Sequence, residues 1–152
     1  DTIRENIRLG EEFPDHRLER AATAVQADAF VSRLPEGYDT ALDERGGNLS
    51  VGQRQLVSFA RVVAHDPAII ILDEATSSVD TETERLIQEG MQVLLENRTS
   101  LVIAHRLSTI KNADRILVLS HGEIVESGTH SELLAQDGVY ANLYRLQYSA
   151  TR

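Results

Sequence analysis

Short apolar runs alternate with segments of helical periodicity in the second half of the chain. Residues 68–72 are rich in β-branched side chains and lack polar alternation, and residues 100–104 form a second such run. Uniformly apolar runs of this length are typical of strands covered on both faces. The helical segment between them, which ends near Asn97, is placed as the crossover of a βαβ unit. The order therefore predicts an α/β fold with a mostly parallel sheet.

A hairpin and further helices are expected after these strands. Residues 115–119 form a third apolar strand, residues 121–123 (HGE) a tight turn, and residues 124–126 a fourth strand. Because a tight turn joins antiparallel strands, we expect an antiparallel edge here. Thr129 with Glu132 forms a capping box, which predicts the start of a last helical region.

The first third of the chain is predicted to be helical. Thr2 with Glu5, and Ser50 with Gln53, are further capping boxes, and each is expected to open a helix. Between them, apolar residues at helical spacing predict one continuous helix over residues 16–34. The glycine-rich stretch that precedes Ser50 predicts a loop.

Composition restricts the class of protein. The 152-residue chain has 15 Lys+Arg, 24 Asp+Glu, a formal net charge of -9 and no cysteine. An acidic surface is unsuited to binding nucleic acid phosphates, and the absence of cysteine excludes thiolate metal sites and cysteine nucleophiles. The longest apolar run, residues 68–72, is far shorter than the ~20 residues of a membrane-spanning helix. Because Asp1 is neither an initiator Met nor part of a signal-type stretch, we expect a piece of a longer protein.

Polar residues follow both predicted buried strands directly. Asp73 and Glu74 come after the first strand, and His105 comes after the second. Ligands of doubly wound sheets bind beyond the carboxyl ends of the strands. Adjacent carboxylates there can divide the work, one holding hydrated Mg²⁺ and the other aligning or deprotonating a water. The alternative is that Asp73 caps the following turn and that His105 is structural.

Residues 49–53 (LSVGQ) place a hydroxyl, a glycine and an amide at the first turn of a predicted helix. Free backbone N–H groups and the positive end of the helix dipole favour a phosphate at such a turn. Gly52 would permit close approach, and the Ser50 hydroxyl could donate a hydrogen bond. A helix cap without any ligand is the alternative interpretation of these residues.

Taken together, these segments resemble the nucleotide-binding domain of ATP-binding cassette (ABC) transporters. Residues 49–53 are similar to the family signature, and residues 69–73 with Glu74 are similar to the Walker B strand with its catalytic glutamate. Residues 77–80 (SSVD) resemble the D-loop, and His105 resembles the switch histidine. The resemblance implies a P-loop NTPase-type fold with a helical subdomain.

Two further stretches resemble the exporter type of this family. Residues 40–46, which contain DERG at positions 43–46, are similar to the loop that exporters place before the signature, where it touches coupling helices of the transmembrane domain. Residues 2–9 are similar to the segment just after the Q-loop. The sequence contains no Gly-x-x-x-x-Gly-Lys-Ser/Thr, the Walker A loop that cradles phosphates. The resemblance is therefore to a C-terminal portion that lacks Walker A, with a sheet incomplete at the N-terminus.

The resemblance also predicts a division of the chain by motif content. Residues 1–66 are expected to form the helical subdomain with the signature. Residues 67–130 are expected to form the C-terminal part of the ATPase core, with Walker B, the D-loop and the switch histidine. Residues 131–152 are expected to form C-terminal helices.

The resemblance assigns roles to the residues that follow the strands. It implies an ATPase that uses ATP and Mg²⁺ and works as a head-to-tail pair of domains. Asp73 would hold Mg²⁺ through water, Glu74 would polarise the attacking water, and His105 would contact the γ-phosphate.

The signature residues would act on the nucleotide of the partner domain. These are Ser50, Val51, Gly52 and Gln53, and Asp80 would cross the interface between the two domains. Val51 stands where the most familiar form of the signature has glycine, and we expect this change to be tolerated.

The expected full-length parent is an exporter ATPase at the cytoplasmic face of the membrane. Its partners would be a transmembrane domain and a second, identical or different, nucleotide-binding domain, and the transported substrate is not predicted. The chain as given lacks Walker A and is expected to be inactive alone. The alternatives are a non-transporting ABC-type ATPase and a truncated, binding-only module.

Overall fold

The computed structural model describes residues 1–73, 81–103 and 107–149. The chain divides into two compact units, Asp1–Leu101 and Val102–Arg152. The first unit contains most of the helices, in the order α1 (Ile3–Arg8), α2 (Asp15–Ala24), α3 (Asp28–Val31), α4 (Val51–His65), β1 (Ile69–Asp73), α5 (Thr81–Leu95) and β2 (Thr99–Ile103), the last reaching into the second unit. Short 3-10 turns at Gly37–Asp39 and Glu44–Gly46 lie between α3 and α4.

The second unit is built on a hairpin. Its elements are α6 (Leu107–Ile110), β3 (Ile116–Ser120), β4 (Glu123–Gly128), α7 (His130–Ala135) and α8 (Val139–Ser149). Within the described residues, no helix is long and apolar enough to cross a bilayer. The predicted division by motif content stays a prediction, because compactness and motif content divide a chain by different criteria.

The predicted capping boxes are confirmed. In each box the side chain of the first residue accepts from the backbone N–H three positions on, and the acidic or amide side chain there accepts in return. The boxes are at Thr2 with Glu5, Ser50 with Gln53, and Thr129 with Glu132. Both partners lie within one helical turn, so the sequence alone determines the contact.

The prediction of one continuous helix over residues 16–34 is wrong. The chain breaks between α2 and α3, where Gln26 has a left-handed backbone with φ 64°. The amide of Ala27 then donates to the carbonyl of Ala22 at 2.8 Å, a bond that closes the end of α2. Ala29, which would lie on the apolar face of one continuous helix together with Leu18, Ala22 and Val25, is exposed after this break.

The core of the first unit surrounds α4. This helix packs against α1, α2 and α5. The largest fully buried side chains here are those of Ile3, Ile7, Leu18, Val25, Val31 and Leu94. Each buried side chain of this size stabilises the fold by about 1.5–3 kcal/mol relative to an exposed one, so α4 is held firmly from several sides.

The two strands of the first unit pair with each other but are not covered on both faces. The side chain of Ile70 is buried, whereas Ile69 and Ile71 are 67% and 69% exposed. In β2, Leu101 and Ile103 are 56% and 52% exposed. The predicted burial on both faces is therefore wrong, since Ile70 belongs to the core of the first unit whereas its neighbours on the opposite face of β1 are exposed.

The predicted antiparallel hairpin is confirmed. Strands β3 and β4 pair antiparallel, with Leu117 opposite Ser127 and Ser120 opposite Glu123. The turn residues His121 and Gly122 have φ of 51° and 84°. Two consecutive positive φ angles are what a two-residue hairpin with matched strand twist requires.

Candidate functional site

The N-terminus of α4 is an exposed polar turn. Ser50 Oγ accepts from the N–H of Gln53 at 3.1 Å, and Gln53 Oε1 accepts from the N–H of Ser50 at 2.9 Å. A hydroxyl that accepts one hydrogen bond keeps its own O–H as a donor, and the amide of Gln53 keeps its NH₂ group. The cap therefore fixes both side chains and leaves donors for a ligand.

The backbone of the same turn also supplies hydrogen-bond donors. The N–H of Arg54 donates to the Ser50 carbonyl at 3.0 Å, the first intrahelical bond of α4. The N–H groups of Val51 and Gly52 precede it and have no carbonyl one turn back inside the helix. The side chain of Val51 is 42% exposed, so its β-branched group is accommodated at the surface. With the positive end of the helix dipole, this turn can receive an anion.

Gly52 is buried and faces α5. A Cβ added at Gly52 would lie 2.1 Å from Cγ2 of Thr83, far closer than such atoms approach. The sequence pattern indicated only a ligand-related role for Gly52 and did not indicate its contact with Thr83. The pattern of residues around Gly52 carries no signal for this contact, because the two residues are far apart in the chain.

The loop that precedes the turn is tied to α4. Arg54 Nη1 donates to the carbonyl of Leu49 at 2.6 Å and to that of Gly46 at 3.2 Å. Asn48 Nδ2 donates to the carbonyl of Ala41 at 2.9 Å, and Asn48 Oδ1 accepts from the N–H of Asp43 at 3.2 Å. These bonds fix the backbone conformation of residues 41–49. They therefore restrict the positions that the side chains of the DERG stretch can take.

A cleft of about 440 Å³ lies beside this loop. Side chains of both charges line it, among them Asp1, Asp43, Arg45, Arg54 and Arg61. The cleft also touches α1 at Asn6. A cleft lined by charges of both signs suits a polypeptide surface with complementary charges better than a small apolar molecule.

The predicted catalytic residues lie at the edge of what the structure describes. Asp73 is the last residue of β1 and is exposed. Glu74, Asp80 and His105 lie outside the described residues. Within the described part of the chain, no group of three or more His, Cys, Asp or Glu side chains is arranged to hold a metal. An exposed single carboxylate is compatible with Mg²⁺, which keeps several waters and is bound by few protein ligands.

The chain is similar to proteins of known families. The family model of ABC transporters matches residues 1–77. The chain is 58% identical over 149 residues to the uncharacterized ABC transporter ATP-binding protein YknV of Bacillus subtilis, covering 97% of this chain and 25% of that protein. It is 53% identical over 148 residues to the ATP-dependent lipid A-core flippase of Desulfotalea psychrophila, covering 97% of this chain and 26% of that protein.

A solved structure has the same fold. A bacterial Atm1-family ABC exporter with ATP bound superposes with a TM-score of 0.85 and 43% sequence identity, over 97% of this chain and 26% of that one. The chain thus spans about a quarter of the length of the relatives it matches.

Proposed function

Since this chain belongs to the ABC transporter family, we propose that it forms the C-terminal part of the ATP-binding domain of a membrane exporter. The observation that carries the proposal is the likeness to an exporter solved with ATP bound, at 43% identity over 97% of this chain. In this proposal the domain binds and hydrolyses ATP, and dimerisation of two such domains drives transport.

The strand ends carry the hydrolytic residues of this proposal. Asp73 would hold Mg²⁺ through water, and its exposed carboxylate at the end of β1 is a ligand type that Mg²⁺ prefers. The ion would neutralise charge on the phosphate oxygens. Glu74 would accept a proton from, or align, the attacking water, and His105 would donate a hydrogen bond to the γ-phosphate.

The α4 turn would serve the nucleotide bound by the partner domain. The Ser50 hydroxyl, the Gln53 amide and the N–H groups of Val51 and Gly52 are donors at one exposed helix end. Phosphate oxygens are acceptors, and the helix dipole adds to the attraction. Asp80 would cross the interface and link the two sites.

The DERG loop would meet the transmembrane domain. Residues 43–46 line part of the cleft of about 440 Å³. Charged side chains are found both in this stretch and in the rest of the cleft lining. We propose that an exporter segment of complementary charge docks there, on the cytoplasmic face of the membrane. The chain by itself would not hydrolyse ATP, because its sequence has no Walker A lysine to hold the phosphates.

The test is Glu74→Gln in the full-length protein. This change keeps the size of the side chain and removes its charge, so we expect hydrolysis to fall by about 10²–10³-fold while ATP binding is retained. Glu96→Gln, at an exposed position after α5, is the matched control and should leave turnover unchanged. Undiminished hydrolysis in Glu74→Gln would remove Glu74 from this role.

A further inference from the structure

Helices α4 and α5 are in close contact at a glycine. A Cβ built on Gly52 would lie 2.1 Å from Thr83 Cγ2, but 3.5 Å from Thr83 Cβ and 3.5 Å from Ile87 Cδ1. The methyl of Thr83 therefore fills the space that a side chain at position 52 would need. Gly52 lies inside α4 with a right-handed backbone, so its conformation does not itself require glycine.

A second glycine contact mirrors the first. A Cβ added at Gly90 of α5 would lie 3.2 Å from Cδ2 of Phe59 of α4 and 3.2 Å from the carbonyl oxygen of Val25. The two contacts follow each other in the same order on both helices, about two turns apart on each. Helices α4 and α5 therefore run in the same direction. Gly52 of α4 lies at one of these two contacts, and Gly90 of α5 lies at the other.

We infer that Thr83 is a positioning residue for the phosphate-binding turn of α4. Its methyl group packs on the α-carbon of Gly52 and fixes Ser50 to Gln53 against the first turn of α5. The inference rests on the proposed function for its effect on ATP, although the contact itself does not. Because α5 follows residues 77–80 directly in the chain, the contact links the two segments proposed to reach the partner domain's nucleotide.

The inference gives a new reason for glycine at position 52. If a phosphate needs the bare α-carbon, any side chain at position 52 impairs ATP use, whatever stands at position 83. If the methyl of Thr83 needs that space, removal of the methyl makes room for a side chain. Thr83→Ser removes the methyl and keeps the hydroxyl, whereas Thr83→Val keeps the methyl and removes the hydroxyl.

The experiment combines Gly52→Ala with each change at Thr83 in the full-length protein. ATP turnover, the KM for ATP and the melting temperature are measured for the single and double variants. We expect Gly52→Ala alone to lower turnover by about tenfold or more and the melting temperature by several degrees. Adding Thr83→Ser should restore turnover to within about threefold, because the remaining neighbours then lie at ordinary contact distance. Adding Thr83→Val should not.

Each outcome decides the inference. Restored melting temperature without restored turnover means that the nucleotide needs the bare α-carbon, and this overturns the positioning role of Thr83. Equal behaviour of the two double variants, or a Gly52→Ala protein that is as active and stable as the wild type, overturns it as well. A wild-type protein without ATP hydrolysis contradicts the proposed function instead, and the melting temperatures of the pair then still test the contact.

Discussion

Arg61 of α4 donates two hydrogen bonds to Asn6 of α1. Its Nε donates to the backbone oxygen of Asn6 at 2.8 Å, and its Nη2 donates to the side-chain oxygen of the same residue at 3.0 Å. The planar guanidinium presents both donors at once, and the pair is half-buried. Helix α1 is only six residues long, so it depends on such tertiary contacts for its stability.

Arg61→Lys should loosen α1. A lysine ammonium cannot reproduce the planar fork, and the loss of one bond to a half-buried carbonyl costs about 1–2 kcal/mol. Hydrogen exchange of the α1 amides in the full-length protein should then accelerate by about 5–30-fold. Arg85→Lys is the control, since Arg85 forms an exposed pair with Glu89 on α5. An unchanged α1 exchange rate in Arg61→Lys would show that the hydrogen bonds of Arg61 do not hold the helix.

The fold should lose stability at high pH because of Tyr38. Its hydroxyl donates to Asp28 Oδ1 at 2.7 Å. Burial first, and then this bond, raise the pKa of Tyr38 well above its ordinary value of 10.0. Because the unfolded tyrosine releases its proton at a lower pH than the folded one, unfolding is favoured as the pH rises above about 10. Denaturant midpoints measured from pH 8 to 11 should fall more steeply for the wild type than for Tyr38→Phe. Parallel curves would contradict the raised pKa.

The sequence predicted those features whose causes are local. Thr2 and Glu5 lie within one turn, as do Ser50 and Gln53, so the caps form wherever the helices do. The break at Gln26 was not predicted, because the apolar periodicity continues through it and does not reveal the left-handed backbone there.

The candidate site was predictable to the same extent. The exposed donors at Ser50 follow from the capping box, and Asp73 follows from its place after a strand. The contact of Gly52 with Thr83 does not follow, because it depends on how α5 lies on α4. The exposure of Ile69 and Ile71 also depends on which elements cover the sheet rather than on the composition of the strand.

Two neighbouring glycines before α4 should respond differently to alanine. Gly46 has φ 67°, and an added Cβ would lie 3.0 Å from Cδ of Arg54. Gly47 has φ -58°, and an added Cβ would meet its nearest atom at 3.5 Å. Gly46→Ala should therefore cost about 1–2 kcal/mol and displace the arginine, whereas Gly47→Ala should be neutral. Hydrogen exchange of residues 43–49 in the full-length protein measures the difference, and equal rates in both variants would contradict it.

Glu126 of β4 should hold the start of α8. Its Oε1 accepts from the N–H of Val139 at 2.5 Å, and its Oε2 accepts from the N–H of Tyr140 at 3.0 Å. The carboxylate thus caps amides that the helix itself leaves unpaired and lies at the positive end of its dipole. Glu126→Ala should cost about 1–2 kcal/mol, seen as faster hydrogen exchange across α8. Glu126→Gln should cost less, because its one carbonyl oxygen can still accept. Glu123→Gln, at an exposed position on the same strand, should leave α8 unchanged. If the α8 amides exchange at the same rate in Glu126→Ala and in Glu123→Gln, the carboxylate of Glu126 is not the cap.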